Sequence, residues 1–222
     1  MSSSSPSAVL FDLDGTLIDT ADDLSACLNI LLAEEGLETL PHSVIRKQVS
    51  NGANAMIRLG FGQLQDERAQ QLRQRLLVHY ENNIAHHSRW FDGLEQFTVE
   101  LKQAGIPWGI VTNKPRLYTD LLLNAMEIDR HVDVVVCPDD LNISKPDPRP
   151  LLHACEQVSA DAQQAIYVGD HIRDIQAGKA AGMTTVAVAY GYIEEDDDIN
   201  LWQADHIIQQ GHELNSLFKL GK

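Results

Sequence analysis

Five short apolar runs, at residues 8–11, 108–111, 132–137, 165–168 and 184–188, set the terms for folding this chain. From residue 93 onward they alternate with stretches of helical spacing at 116–126, 148–158 and 172–181. Strands alternating with helices of this length predict a parallel sheet covered by helices on both faces. His206-Ile207-Ile208 reads as a last short strand, followed by a terminal helix.

Residues 19–89 break the alternation, because no strand pattern is present there. One helical stretch carries Leu24, Leu28, Leu31 and Leu32; a second spans 44–59 and is interrupted by Ser50-Asn51-Gly52; a third, rich in Gln, Arg and Leu, spans 63–83. The predicted fold class is therefore α/β: a Rossmann-like three-layer core with a parallel sheet and a small all-helical insertion. Residues 1–18 and 88–222 are assigned to the core and 19–87 to the insertion. A chain of 222 residues suits one core with such an appendage.

In open α/β sheets, ligands sit beyond the carboxyl ends of the strands. Asp12 and Asp14 follow the first strand, and Thr112-Asn113-Lys114 the second. Lys145-Pro146 lies beyond the third, and Gly169-Asp170, with Asp174, ends the fourth. Gathered at one edge, Asp12, Asp14 and Asp170 make a carboxylate cluster that cannot stay ionised unaided. A hard divalent cation such as Mg²⁺ resolves the repulsion and keeps room for water and a phosphate oxygen. Lys145 adds a fixed positive charge, and Thr112 with nearby backbone N–H groups can hold phosphoryl oxygens. Phosphoryl transfer depends on this combination of positioning and charge stabilisation.

Charge narrows the partners. With 17 basic against 32 acidic residues the net charge is −15, which disfavours nucleic acid and anionic membranes. It also repels phosphate esters, so a small anionic substrate needs a local group of cations. No apolar run approaches the ~20 residues needed to span a bilayer. Residues 1–7 read as a frayed terminus with no basic stretch before Arg46, so a secretory signal is not expected. Cys27, Cys137 and Cys155, odd in number and widely spaced, point to a reducing compartment and a cytoplasmic location. Monomer is the default expectation. The acidic run 194–198 lacks the pattern of a calcium loop and reads as solvated loop.

Together, Asp12-Leu13-Asp14-Gly15-Thr16, Val111-Thr112-Asn113, Lys145-Pro146 and Gly169-Asp170 with Asp174 resemble the four motifs of the haloacid dehalogenase superfamily. The resemblance runs from Val9 to Gly191 and implies an HAD-like phosphatase. It implies that Asp12 attacks phosphorus to form an aspartyl-phosphate, and that Asp14 protonates the leaving oxygen and then activates water. It further implies that Thr112 and Asn113 bind the phosphoryl group and Lys145 offsets charge. Mg²⁺ would be held by Asp12, Asp170 and the backbone carbonyl of Asp14, with Asp174 in support. The helical insertion matches a small cap. Asp14 argues against a dehalogenase, which needs no proton for its leaving group. A sugar-phosphate mutase and a non-catalytic phosphate-binding protein remain as alternatives.

Substrate choice belongs to the insertion. Val49-Ser50-Asn51-Gly52-Ala53 resembles the substrate-facing loop of phosphoglycolate phosphatases, and flanking Arg46 and Arg58 could answer a substrate carboxylate. Finer runs resemble the N-acetylmuramic acid 6-phosphate phosphatases of peptidoglycan recycling: Trp90-Phe91-Asp92-Gly93, Val136-Cys137-Pro138-Asp139-Asp140, Gly169-Asp170-His171 with Arg173-Asp174, and Gly191-Tyr192-Ile193. His171 stands where phosphoglycolate enzymes more often have a small residue, and it joins the expected substrate-binding set. The amino-sugar acid ester is the favoured substrate, with 2-phosphoglycolate the alternative.

Overall fold

Val9, Leu10 and Phe11 are fully buried and form β1 (Val9–Phe11) in the middle of the sheet of the computed structural model, which describes residues 5–218. After β1 come β2 (Ile18–Asp19), α1 (Ala21–Glu34), α2 (His42–Arg46), α3 (Gly52–Phe61), α4 (Asp66–Asn83) and β3 (Arg89–Trp90). They are followed by α5 (Leu94–Gln103), β4 (Trp108–Val111), α6 (Arg116–Ala125), β5 (Val134–Val136), α7 (Pro138–Leu141) and α8 (Arg149–Gln157). The chain ends with β6 (Ile166–Gly169), α9 (Ile172–Ala180), β7 (Thr184–Val188), β8 (His206–Ile208) and α10 (Leu214–Leu217).

The main sheet has six strands in the order β5-β4-β1-β6-β7-β8, all parallel. Strand order reverses around β1, and such a switch point opens a crevice at the carboxyl ends. Phe11 is level with Ile110 on one side and Val168 on the other. That register brings Asp12, Thr112 and Asp170 to nearly the same height. Alternation along the strands divides the core in two. Val9 and Phe11 pack with Phe97, Trp108 and Leu122 on one face, while Leu10 joins Tyr167, Leu151 and Ala177 on the other. Phe11 meets Phe97 and Trp108 edge-on, with ring centroids 6.3 Å apart in each pair.

The helices between residues 21 and 83 have their own core, in which Leu28, Leu31 and Leu32 of α1 meet Leu72, Leu76 and Tyr80 of α4. This unit joins the sheet domain through a two-stranded antiparallel ribbon that pairs Ile18 with Trp90. Two-residue strands carry no periodic signal, which is why the sequence pattern does not foresee them.

Other boundaries also moved. The helix expected from residue 63 begins at Asp66, and the strand expected over 132–137 shortens to Val134–Val136. The terminal helix is the four-residue α10, and α5 and α7 were not anticipated. Of the segment read as a frayed terminus, residues 1–4 lie outside the described residues. Ser7 is tied down, donating from its N–H to the Gln164 carbonyl at 3.0 Å and from its hydroxyl to the Asp161 carbonyl at 2.7 Å. The acidic run is not wholly solvated. Glu194 accepts from Gln48 at 3.1 Å and Asn51 at 2.6 Å, and Lys47 reaches Glu195 at 3.2 Å, so the run clasps the helical unit. Among the described residues, no helix is long and apolar enough to cross a membrane.

Candidate active site

The chain leaves β1 through a turn that aims Asp12. Its N–H donates to the Val168 carbonyl at 2.9 Å, and its Oδ1 accepts from the Leu13 N–H at 2.7 Å. Gly15 then adopts a φ of 81°, in the left-handed region where a side chain is disfavoured. A Cβ at Gly15 would come within 2.1 Å of Asp170 Oδ2, and one at Gly191 within 2.2 Å of Asp170 Cβ. Both glycines therefore let the backbone close around Asp170.

Lys145 is the centre of the buried charge. Its ammonium lies 2.8 Å from Asp12 Oδ1 and 2.8 Å from Asp174 Oδ1 as ion pairs, and donates to the Tyr167 hydroxyl at 2.8 Å. The Tyr167 hydroxyl donates onward to the Val111 carbonyl at 2.7 Å. Asn113 fixes the lysine backbone, accepting from the Lys145 N–H at 2.9 Å and donating to its carbonyl at 3.0 Å. The side-chain amide thus holds Lys145 in place, and Asn113 also lines the cavity. Thr112, also buried, accepts from the Lys114 N–H at 3.1 Å and keeps its own hydroxyl proton to donate.

One lysine does not balance this cluster. Asp12, Asp170 and Asp174 are all buried, with ligand oxygens within 4.8 Å of one another. Burial, then the nearby Asp12 and Asp174, push the Asp170 carboxyl up to about 7, against a hydrogen bond from the Tyr192 N–H. Asp174 is raised as well, first by burial, although Lys145 works in the opposite direction. An all-oxygen donor set with excess negative charge fits a hard divalent cation. The carboxylate of Asp14 is not in this set. It accepts from Thr20 Oγ1 at 2.5 Å and from Lys114 at 2.9 Å.

Lys114 was noted at the strand end but given no role. Its ammonium joins Asp14 to the Tyr80 hydroxyl at 2.9 Å, linking the sheet to α4. Burial opposes its charge, but Asp14 and Tyr80 outweigh burial and raise it above the ordinary lysine value. Arg173 is the other omission. Its guanidinium donates to the Ser50 carbonyl, while Nε is buried without a partner. Only its place beside Asp174 in the sequence hinted at this.

The remaining expected residues divide by location. Ser50, Asn51 and Gly52 line a cavity of about 360 Å³ above Asp12, Asp14, Thr112 and Asn113. Ser50 Oγ donates to Asp170 at 2.9 Å, so the loop reaches the carboxylate cluster itself. Asn51 points its amide to Glu194. Arg46 is not at the cavity: it pairs with Asp19 at 2.6 Å and lies 4.5 Å over the Tyr192 ring. Arg58 is exposed and absent from the lining. His171 caps α9, accepting at Nδ1 from the Arg173 N–H at 3.2 Å. Burial, then Arg173, lower it to about 4, which keeps the ring neutral and able to accept. The cavity wall also includes residues outside the expected set, among them Arg73, Leu77, Tyr80 and Tyr118.

Comparison with known proteins identifies the family. A family model described as haloacid dehalogenase-like hydrolase matches residues 9–188. An N-acetylmuramic acid 6-phosphate phosphatase of Pseudomonas aeruginosa is 41% identical, over 93% of this chain and 92% of that protein. A phosphoglycolate phosphatase of Xanthomonas campestris pv. campestris is 42% identical, over 94% of this chain and 95% of that protein. The crystal structure of a predicted phosphoglycolate phosphatase from Haemophilus somnus superposes with a TM-score of 0.86 at 24% identity, covering 97% and 99% of the two chains.

Proposed function

The chain belongs to the haloacid dehalogenase-like hydrolases and is a phosphoric monoester hydrolase; from this premise we propose that it acts through Asp12, with Mg²⁺, on a small carboxylated phosphate ester. The observation that carries the reading is Asp12 at the floor of the cavity, held by Lys145 and adjoining the carboxylates of Asp170 and Asp174.

The reaction divides among the chain's own groups. Asp12 attacks phosphorus, and the ester oxygen leaves as an aspartyl-phosphate forms. Asp14, on the cavity wall, gives that oxygen a proton and then takes one from the water that releases phosphate. Lys145 and the Thr112 hydroxyl stabilise the phosphoryl oxygens. Asp12, Asp170 and the Asp14 carbonyl would hold Mg²⁺, with Asp174 behind them. When bound, the ion supplies Lewis-acid stabilisation of the phosphoryl group and offsets the carboxylate charge. Residues 19–87 serve as a cap that excludes water, with Ser50 as its link to Asp170.

For the substrate we favour N-acetylmuramic acid 6-phosphate, which would give the enzyme a place in peptidoglycan recycling; cytoplasmic location and a monomer, the default for a capped enzyme of this size, complete the reading. The Pseudomonas relative and a cavity of about 360 Å³, roomy for a two-carbon ester, support this reading. The Xanthomonas relative supports 2-phosphoglycolate as the second reading. Comparing kcat/KM for the two esters tests the choice, and a large preference for phosphoglycolate reverses it. Asp12→Asn tests the nucleophile: phosphate release should vanish with the fold intact, and retained turnover would overturn the assignment.

A further inference from the structure

Helix α4 carries arginines with different fates. Arg75 pairs with Glu34 of α1 at 2.7 Å, and Arg68 and Arg75 both reach Glu35. Arg73 makes no hydrogen bond or ion pair among the described residues and instead lines the cavity, together with Leu77 and Tyr80. In a chain with 32 acidic against 17 basic residues, an unpaired guanidinium on a cavity wall runs against the surplus of available carboxylates.

The helix sets where that charge stands. Residues 73, 77 and 80 are spaced i, i+4, i+7 and share one face. Tyr80 marks the reacting end, because its hydroxyl meets Lys114, which holds Asp14. Arg73 is two turns away toward the helix N-terminus, about 10 Å along the axis. Helical side chains lean toward the N-terminus, which carries the guanidinium farther from Asp14. The stripe thus offers a polar contact at the reacting end, an apolar contact at Leu77, and a planar cation at the far end. A guanidinium matches a carboxylate with two parallel hydrogen bonds.

We propose that Arg73 receives a substrate carboxylate held about one sugar ring from the ester phosphate, and so selects sugar-acid phosphates over two-carbon phosphates. The inference rests on the reading of this cavity as the phosphatase site. In 2-phosphoglycolate the carboxylate is one carbon from the ester oxygen, too near to span the stripe. In N-acetylmuramic acid 6-phosphate it is on the ether substituent at C3, while the phosphate is on C6 beyond C5, so an edge of the ring and both side arms separate the two.

The test compares wild type, Arg73→Met and Arg73→Lys on three esters: N-acetylmuramic acid 6-phosphate, N-acetylglucosamine 6-phosphate, which lacks the carboxylate, and 2-phosphoglycolate. For Arg73→Met, the ratio of kcat/KM for the first ester to that for the second should fall by ~10–100-fold, chiefly through KM, as expected for losing a charged hydrogen-bonded pair. Arg73→Lys should fall between the two. An equal loss on all three esters, an equivalent loss on 2-phosphoglycolate, or no loss would overturn the proposal. Saturation-transfer NMR with N-acetylmuramic acid, which has the carboxylate but no phosphate, separates the two readings. Binding present in wild type and lost in Arg73→Met supports Arg73 even if no ester is hydrolysed; binding equal in the two proteins removes it. Matching melting curves for the variants show that the fold is retained.

Discussion

Lys145 Nζ lies 2.8 Å from Asp12 Oδ1, and both residues are buried beneath the cavity. The same ammonium holds Asp174 at 2.8 Å, so its loss leaves carboxylates facing one another without a cation. Lys145→Ala is expected to lower the stability of the metal-free protein by about 3–5 kcal/mol, the usual result of breaking a buried pair from one side. Urea unfolding in EDTA measures this; a loss under about 1 kcal/mol would show that the pair contributes no more than a surface one.

The raised Asp170 carboxyl links stability to pH and to metal. Its folded value, about 7, is above the unfolded value of about 4. The metal-free fold therefore binds an extra proton between those limits, and its stability should fall as pH rises through that window. A cation needs the ionised form, so Mg²⁺ should bind more tightly as pH rises toward 7 and then level off. Melting curves with EDTA or Mg²⁺ at pH 5 and pH 8 check the sign. A larger Mg²⁺-induced rise at pH 5 would contradict it.

Gly191→Ala puts a methyl group 2.2 Å from Asp170 Cβ, so the aspartate or the backbone must shift. We expect Mg²⁺ affinity to weaken by about 10–100-fold, the range seen when groups supporting a metal ligand are disturbed. Calorimetric titration with Mg²⁺ reads this directly. Unchanged affinity would mean that the close approach has no part in placing Asp170.

Tyr80→Phe removes the hydroxyl that accepts from Lys114 at 2.9 Å, leaving a buried ammonium one partner short. The expected cost is about 1–3 kcal/mol of stability. Because Lys114 also holds Asp14, kcat should fall more than KM changes. Steady-state kinetics alongside thermal unfolding separate the two effects, and a change confined to KM counts against the link to Asp14.

Arg46→Met tests a residue that sequence spacing assigned to substrate. The structure ties its guanidinium to Asp19 at 2.6 Å and to the Tyr190 carbonyl at 3.3 Å. Stability should drop by about 1–3 kcal/mol, with KM for every ester near the wild-type value. A rise in KM for carboxylated esters alone would return Arg46 to the substrate.

The sheet was legible because its central strands β1, β4 and β6 are buried on both faces and read as unbroken apolar runs, which places Asp12, Thr112 and Asp170 at strand ends from the sequence alone. The ribbon pairing Ile18 with Trp90 was not, since two residues show no period. Among the candidate site residues, type and strand position were readable and side-chain direction was not. Asn113 turns back to the Lys145 backbone, His171 caps its own helix, and Arg46 leaves for Asp19.

What the sequence by itself determined is the order of strand-end carboxylates, hydroxyl and lysine, because chain order and burial pattern dictate which residues follow each strand of a parallel sheet. Only the tertiary structure decided which cations face the cavity. Arg68, Arg73 and Arg75 lie on one helix with the same chemistry, and the sequence holds no mark that separates them. Packing α4 against α1 turns Arg68 and Arg75 toward Glu34 and Glu35 and leaves Arg73 beside Leu77 and Tyr80. The physical reason is that a helix offers all its faces at once, and its packing partner determines which face remains for the cavity.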